Sequence, residues 1–127
     1  VKSIELQTHR RTEFINVTQE IQRSVAAMGL KDGTITVFVP HTTAGITINE
    51  NADPDVMADV DKALEKMVPW SGGYSHGEGN SAAHVKASLM GSSVRIIVWE
   101  GRIQLGTWQG IYFCEFDGPR TREVWVG

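Results

Sequence analysis

The chain has a single cysteine, no apolar run long enough to cross a bilayer, and no block of charge of either sign. Each scarcity excludes something. Cys114, inside the apolar stretch Ile111-Tyr112-Phe113-Cys114, has no partner for an intramolecular disulfide, which points to a reducing compartment, the cytoplasm. The longest largely apolar runs, Thr34 to Val39 and Val94 to Trp99, are strand-sized, far below the ~20 residues a membrane helix needs. The N-terminus lacks a charged-then-apolar signal pattern, so a soluble protein without membrane insertion or export is expected. The 15 acidic and 12 basic residues are interspersed, with a net charge of -3, so no face is built for a polyanion and nucleic acid is not an expected partner. A length of 127 residues encloses one core, hence a single domain over 1–127.

Periodicity predicts the elements. Lys2 to Thr8 and Glu13 to Val17 alternate as strands across the polar turn His9-Arg10-Arg11-Thr12. Thr18 can cap a helix over 18–28 with Ile21, Val25 and Met28 as its buried stripe and Gly29 at its end. The β-branched run 34–39 ends at Pro40, and a second run, 45–49, follows the polar corner His41-Thr42-Thr43-Ala44. Asp53-Pro54 opens the clearest helix, with Val56, Val60, Ala63, Leu64 and Met67 at helical spacing. Residues 69 to 80 hold four of the 13 glycines and read as a long functional loop. Ser81 to Met90 reads as a helix whose buried face is either Ala83, Ala87 and Met90 or Val85 and Leu89. Strands follow at 93–99, 103–106, 108–116 and 121–126, with the Gly101 and Gly118 turns favouring antiparallel hairpins. The expectation is an α+β fold: a mostly antiparallel or mixed sheet with about three helices packed on it. Trp99, Trp108 and Trp125 are more aromatic surface than so small a domain hides, and a subunit interface would cover some of it.

The chemistry-bearing residues concentrate at element ends. The segment His76 to His84 puts one imidazole in the Gly-rich loop and another about one turn into a helix, so both can face one point. A third ligand from His41 or Glu50 would complete an open zinc-type site; the alternative is histidines that hydrogen-bond an anion, a substrate or the fold. Glu50, at the end of its strand, serves either as base or ligand or, with Asn51, as a partner for turn backbone. Gly77-Glu78-Gly79-Asn80-Ser81 enters a helix as an anion cradle would, yet lacks the lysine of a P-loop. Arg120 and Arg122, two apart, share a strand face and could clamp a phosphate or solvate a sheet edge. Thr42 and Thr43 offer hydroxyls beside His41. No serine sits in a nucleophile elbow, and Cys114 reads as a buried structural thiol.

Taken in order, His41-Thr-Thr-Ala-Gly-Ile-Thr-Ile-Asn-Glu-Asn-Ala-Asp-Pro54, His76 through Ala-Ala-His84, Gly106-Thr-Trp-Gln-Gly110 and Glu115-Phe-Asp-Gly-Pro-Arg120 resemble the YjbQ family over nearly the whole chain. The resemblance implies an α+β fold that assembles as a homotrimer, with its pocket near the subunit boundary. It further implies a secondary thiamine-phosphate synthase activity, which joins hydroxymethylpyrimidine diphosphate to thiazole phosphate and releases pyrophosphate. On that basis His41, His76 and His84 are expected as metal or diphosphate ligands, with zinc or magnesium as the cation. Glu50, His41 and His84 are the expected catalytic groups. Thr42, Thr43, Asn49, Asn80, Ser81, Arg120 and Arg122 would line the phosphate site, with Trp108 and Gln109 as its wall. The alternatives are a non-catalytic trimer that holds a metal or small anion, and a metal-dependent phosphohydrolase.

Overall fold

The structure, a computed structural model, describes residues 1–127. Eleven elements follow in chain order: β1 (Lys2–Gln7), β2 (Glu13–Asn16), α1 (Thr18–Met28), β3 (Gly33–Phe38), β4 (Ala44–Glu50), α2 (Pro54–Met67), α3 (Ser81–Met90), β5 (Ser93–Trp99), β6 (Arg102–Ile103), β7 (Gln109–Glu115) and β8 (Thr121–Val126). The strands form two antiparallel sheets, one of five in the order β1-β8-β3-β5-β6 and one of three in the order β2-β7-β4. This is the expected α+β class, but with the strands divided between two sheets.

Burial explains the layering. In β3 and β8 every second residue is buried, so Ile35, Val37, Val124 and Val126 face inward and their neighbours face out. β7 has no such alternation. Its Ile111 and Phe113 join the main core against the five-stranded sheet, whereas Cys114 and its extension Phe116 join a second core with Leu64, Ala83 and Ala87. A five-stranded sheet, a three-stranded sheet and the α2–α3 layer therefore stack on one another, and β7 is the shared wall. Full burial of a side chain the size of Phe113 contributes about 1.5–3 kcal/mol. α1 adds Ile21 and Val25 to the main core while packing against β6, β7 and β8.

Local sequence sets the element ends. The Asp53 side chain accepts a hydrogen bond from the Asp55 amide at 2.9 Å and Pro54 occupies the first helical turn, as the sequence predicts for α2. At α1 the expected cap differs. Thr18 lies inside the first turn, where its amide and hydroxyl both donate to Asn16 Oδ1, and its Oγ1 accepts from the Ile111 amide at 2.9 Å. The hydroxyl thus ties α1 to β7. Glu100 and Gly101, both with positive φ, make the two-residue turn of the β5–β6 hairpin. The Gly118 turn makes no hairpin, because β7 and β8 belong to different sheets. There a Cβ on Gly118 would lie 2.3 Å from the Arg10 carbonyl oxygen, so only glycine lets the two crossings pass.

Helix faces follow the pattern in part. α3 buries Ala83 and Ala87 and leaves Val85 and Leu89 exposed, which decides between the two faces open in the sequence. Met28 and Met67, expected inside, are exposed at the last turns of α1 and α2. On the outer side of the five-stranded sheet Phe38, Ile97, Trp99 and Trp125 remain exposed, with Phe38 and Trp125 in ring contact at 5.7 Å. No helix is long and apolar enough to cross a membrane.

Candidate functional site

Where β3 ends, the chain turns through Pro40 and His41 into β4, and the C-terminal half of α3 lies against this corner. The close approach depends on Gly45. A Cβ there would sit 2.8 Å from the Gly91 carbonyl oxygen, which instead accepts a hydrogen bond from the Ile46 amide at 3.1 Å. Between corner and helix opens a shallow pocket of about 510 Å³, with His41, Thr42, His84, Ser88 and Ser92 as polar lining over Ala44, Ala87 and Gly91. No carboxylate lines it. The Ser88 hydroxyl donates to the His84 carbonyl at 2.9 Å, so its oxygen lone pairs are what it can turn to the pocket.

His41 is anchored by β8. Its Nε2 accepts the Glu123 amide at 2.9 Å, continuing the β3–β8 ladder past the end of β3. Desolvation lowers its pKa, and the Arg122 guanidinium lowers it further against weaker opposition from Glu115 and Glu123. The ring is therefore favoured in its neutral form. His76, in the loop after α2, meets His84 edge to face, with ring centres 5.5 Å apart, and its Nε2 lies 3.9 Å from Glu78. Imidazoles from three separate segments are thus gathered at one corner of the fold, with His84 the link between the other two.

Beneath His41 lies a buried polar network that the sequence reading did not find. Glu115 is wholly buried and Arg122 is 4% exposed. The Glu115 carboxylate accepts from Arg122 Nε at 2.9 Å and from Arg122 Nη2, from Thr8 Oγ1 at 2.8 Å, and from the Phe116 and Asp117 amides at 3.1 Å. Arg122 Nη2 also donates to Thr43 Oγ1 at 2.8 Å. Arg122 and Thr43, expected on phosphate oxygens, are committed to this network and to each other. A signal was present in the strand pattern. Arg122 falls in register with the inward Val124 and Val126, and Glu115 with the inward Ile111 and Phe113, so opposite charges occupy core positions of facing sheets.

The remaining expected residues lie elsewhere. Glu50, at the far end of β4, is six residues from Ala44, a span of about 20 Å along a strand. Asn49, Trp108 and Gln109 gather around it: Glu50 pairs with Gln109, the Asn51 amide donates to the Trp108 carbonyl, and Asn49 Oδ1 accepts from the Glu50 amide. Trp108 is exposed. The convergence of Glu50 with the three histidines on one void does not occur within a single chain. Asn80 and Ser81 open α3, but Asn80 Nδ2 donates to Asp117 Oδ2 at 2.9 Å, so an internal carboxylate already faces that helix start. Arg120 is held by the same Asp117 at 3.1 Å and stands outside β8, so it forms no clamp with the buried Arg122.

The donor set also bears on a metal. No three His, Cys, Asp or Glu side chains converge as ligands. His76 and His84 supply two imidazoles, and the Nε2 of His41 is already used. One chain therefore falls a ligand short of the three that an open zinc site requires.

Two antiparallel sheets, a helical layer and a carboxylate-free pocket between a histidine corner and α3 define the class of molecule. The family described as UPF0047 protein YjbQ-like matches residues 2–127, and the chain belongs to it. The chain is 49% identical over 127 residues to the UPF0047 protein YugU of Bacillus subtilis, covering 99% of this chain and 96% of that protein. It is likewise 49% identical over 122 residues to a UPF0047 protein of Methanocaldococcus jannaschii, covering 96% and 88%. Among solved structures, a YjbQ/UPF0047 family protein of Clostridium acetobutylicum superposes with a TM-score of 0.98 at 56% identity, covering 100% of this chain and 98% of that one. A hypothetical protein of Aeropyrum pernix superposes with a TM-score of 0.94 at 36% identity, covering 99% and 95%. The family is one of unknown function.

Proposed function

We propose that the pocket between His41 and His84 binds a small phosphorylated ligand, and that the chain acts on phosphate or diphosphate esters in the cytoplasm. The observation that carries this reading is the lining itself: two imidazoles and the hydroxyls of Thr42 and Ser92, with no carboxylate to repel an anion. The reaction proposed is the thiamine-phosphate synthase step, in which a diphosphate leaves hydroxymethylpyrimidine as the thiazole nitrogen bonds to its methylene carbon. His84, with His76 behind it, would face the charge that grows on the departing diphosphate. A zinc or magnesium ion fits this proposal only with ligands beyond those one chain provides.

Glu50 enters the proposal through assembly. In a head-to-tail ring two different patches of the chain meet. A homotrimer of that kind would set the Glu50, Asn49, Trp108 and Gln109 end of one copy against the His41–His84 corner of the next. The exposed Phe38, Ile97, Trp99 and Trp125 supply apolar surface for copies to cover.

The test is pyrophosphate release from the two substrates, run beside equilibrium dialysis with inorganic phosphate and pyrophosphate, on protein whose mass in solution is measured by light scattering. Release abolished by Glu50→Gln, with anion binding intact in a trimer, is the expected result. Mixed trimers of Glu50→Gln and His41→Ala subunits should regain part of the activity, since some interfaces then carry both native ends. A monomer, or mixtures with no regain, overturns the shared site. Anion binding without turnover supports the second reading, a non-catalytic anion-binding trimer, which the 20 Å separation of Glu50 within one chain favours (about 3.3 Å per residue). Phosphatase activity that a chelator removes would mark a metal-dependent hydrolase instead.

A further inference from the structure

The contact that anchors His41 also fixes what the ring offers to the pocket. A ring nitrogen that accepts a hydrogen bond carries no proton, and a neutral imidazole has only one proton to place. His41 Nε2 accepts the Glu123 amide, so in the neutral ring the proton is on Nδ1, the nitrogen with no partner inside the chain. The backbone bearing the ring is pinned two residues on. The Phe116 amide donates to the Thr43 carbonyl at 3.2 Å, and Arg122, gripped by Glu115, donates to Thr43 Oγ1. The ionisable groups around the ring are Arg122 and Glu123 on β8, Glu115 on β7 and His84 on α3. β3 carries no ionisable side chain, and the only one on β4 is Glu50, at its far end.

We propose that His41 is a fixed-tautomer hydrogen-bond donor that presents Nδ1–H to an oxyanion in the pocket, with Glu115 and Arg122 as positioning residues that hold it so. The proposal deepens the phosphate reading and rests on it for the identity of the oxyanion; the tautomer does not depend on it. It also takes His41 out of any metal-ligand set. A cation on Nδ1 needs the lone pair there and the proton on Nε2, where it would point at the Glu123 N–H. The Nδ1–H of the neutral ring can donate to either ionisation state of phosphate, since both offer oxygen lone pairs.

The experiment is long-range ¹H–¹⁵N correlation spectroscopy of the whole protein with ¹⁵N-labelled histidine, slightly above neutral pH, with His41→Gln to assign the signals. The expected spectrum shows His41 with a proton-bearing Nδ1 and a bare Nε2. Inorganic phosphate should shift Nδ1 and leave Nε2 in place, and zinc should not remove the Nδ1 proton. A proton on Nε2, or its transfer there on adding zinc, refutes the tautomer and leaves phosphate binding standing. The stated tautomer with Nδ1 unmoved by phosphate that dialysis shows to be bound refutes the oxyanion role alone, and no binding by either measure refutes the phosphate reading with it. For the positioning residues, Glu115→Gln combined with Arg122→Gln removes both buried charges at once. With the fold verified by circular dichroism, this variant should show exchange-broadened His41 nitrogens and about tenfold weaker phosphate binding, the size of one lost hydrogen bond. A His41 spectrum and affinity unchanged from the parent reduce Glu115 and Arg122 to supports of the fold.

Discussion

Replacing Glu115 with alanine should be among the most damaging single changes available to this chain. The carboxylate is fully buried and accepts hydrogen bonds from Thr8, from two Arg122 nitrogens and from two backbone amides. Removing it strands a guanidinium that is only 4% exposed. Breaking a buried pair from one side costs about 3–5 kcal/mol, because the remaining charge has neither water nor a counter-charge, only the neutral oxygens of Thr43. With a urea slope of about 2 kcal/mol per molar, the unfolding midpoint should fall by about 2 M. Circular dichroism through a urea titration measures this directly. The double variant Glu115→Met with Arg122→Met leaves no stranded charge and should recover most of the loss. A midpoint drop below about 0.5 M for Glu115→Ala would refute the argument, since the slope would then convert it to no more than a surface contact. The same network sets an acid limit. Burial alone would raise the Glu115 pKa, but hydrogen bonds from Arg122, the Asp117 amide and Thr8, with the charge of Arg122, bring it below the ordinary value. Its contribution is therefore complete above the unfolded glutamate value of about 4.3 and is lost as pH falls through the folded one. Below that point the parent's midpoint should decline more steeply than that of the double methionine variant.

Gly45→Ala should lower stability by about 1–3 kcal/mol and weaken phosphate binding, because a Cβ 2.8 Å from the Gly91 oxygen pushes α3 off β4 and moves the pocket wall; thermal melts and dialysis check both. Cys114, whose pKa burial pushes up to about 12, should resist thiol reagents at mildly alkaline pH until urea unfolds the chain. Asp61 has its pKa raised, first by desolvation and then by Glu65, despite Lys86 and Arg10. A raised carboxyl contributes stability that is present below its unfolded pKa and lost as pH rises through the folded one. Asp61→Asn should accordingly raise the urea midpoint near neutrality, and the gain should shrink on acidification.

The elements were legible because each is local. Pro54 after Asp53, and the alternation of Thr121 to Val126, need no knowledge of the rest of the chain. The division into two sheets was not legible, because β1 pairs with β8 and β2 with β7, partners more than 95 residues away. Nothing in the hydropathy of Glu13–Asn16 names Gln109–Glu115 as its neighbour. β6 is shorter than the predicted 103–106: the Gln104 amide makes one last bond to the Ile97 carbonyl, and the chain then enters the turn that the Gln109 amide closes on the Gly106 carbonyl. Of the site, the histidine corner was legible in outline: His76 and His84 do meet, and His41 and His84 share a pocket. The role of Arg122 was not. The shared face of Arg120 and Arg122 is a statement about one strand, whereas burial is decided by the sheet across from it, and there Glu115 was waiting at a core position.

β7 is a strand with no wet side. From Gly110 to Phe116 each residue but one is buried, and the exception, Tyr112, spends its hydroxyl on the Glu50 carbonyl. A surface strand can absorb change by turning half its residues over to solvent; this one has no such half. Variation in the ligand the molecule accepts should therefore be written in the corner at His41 and in the exposed loop around His76, while the strand between the two cores stays the least editable line of the text.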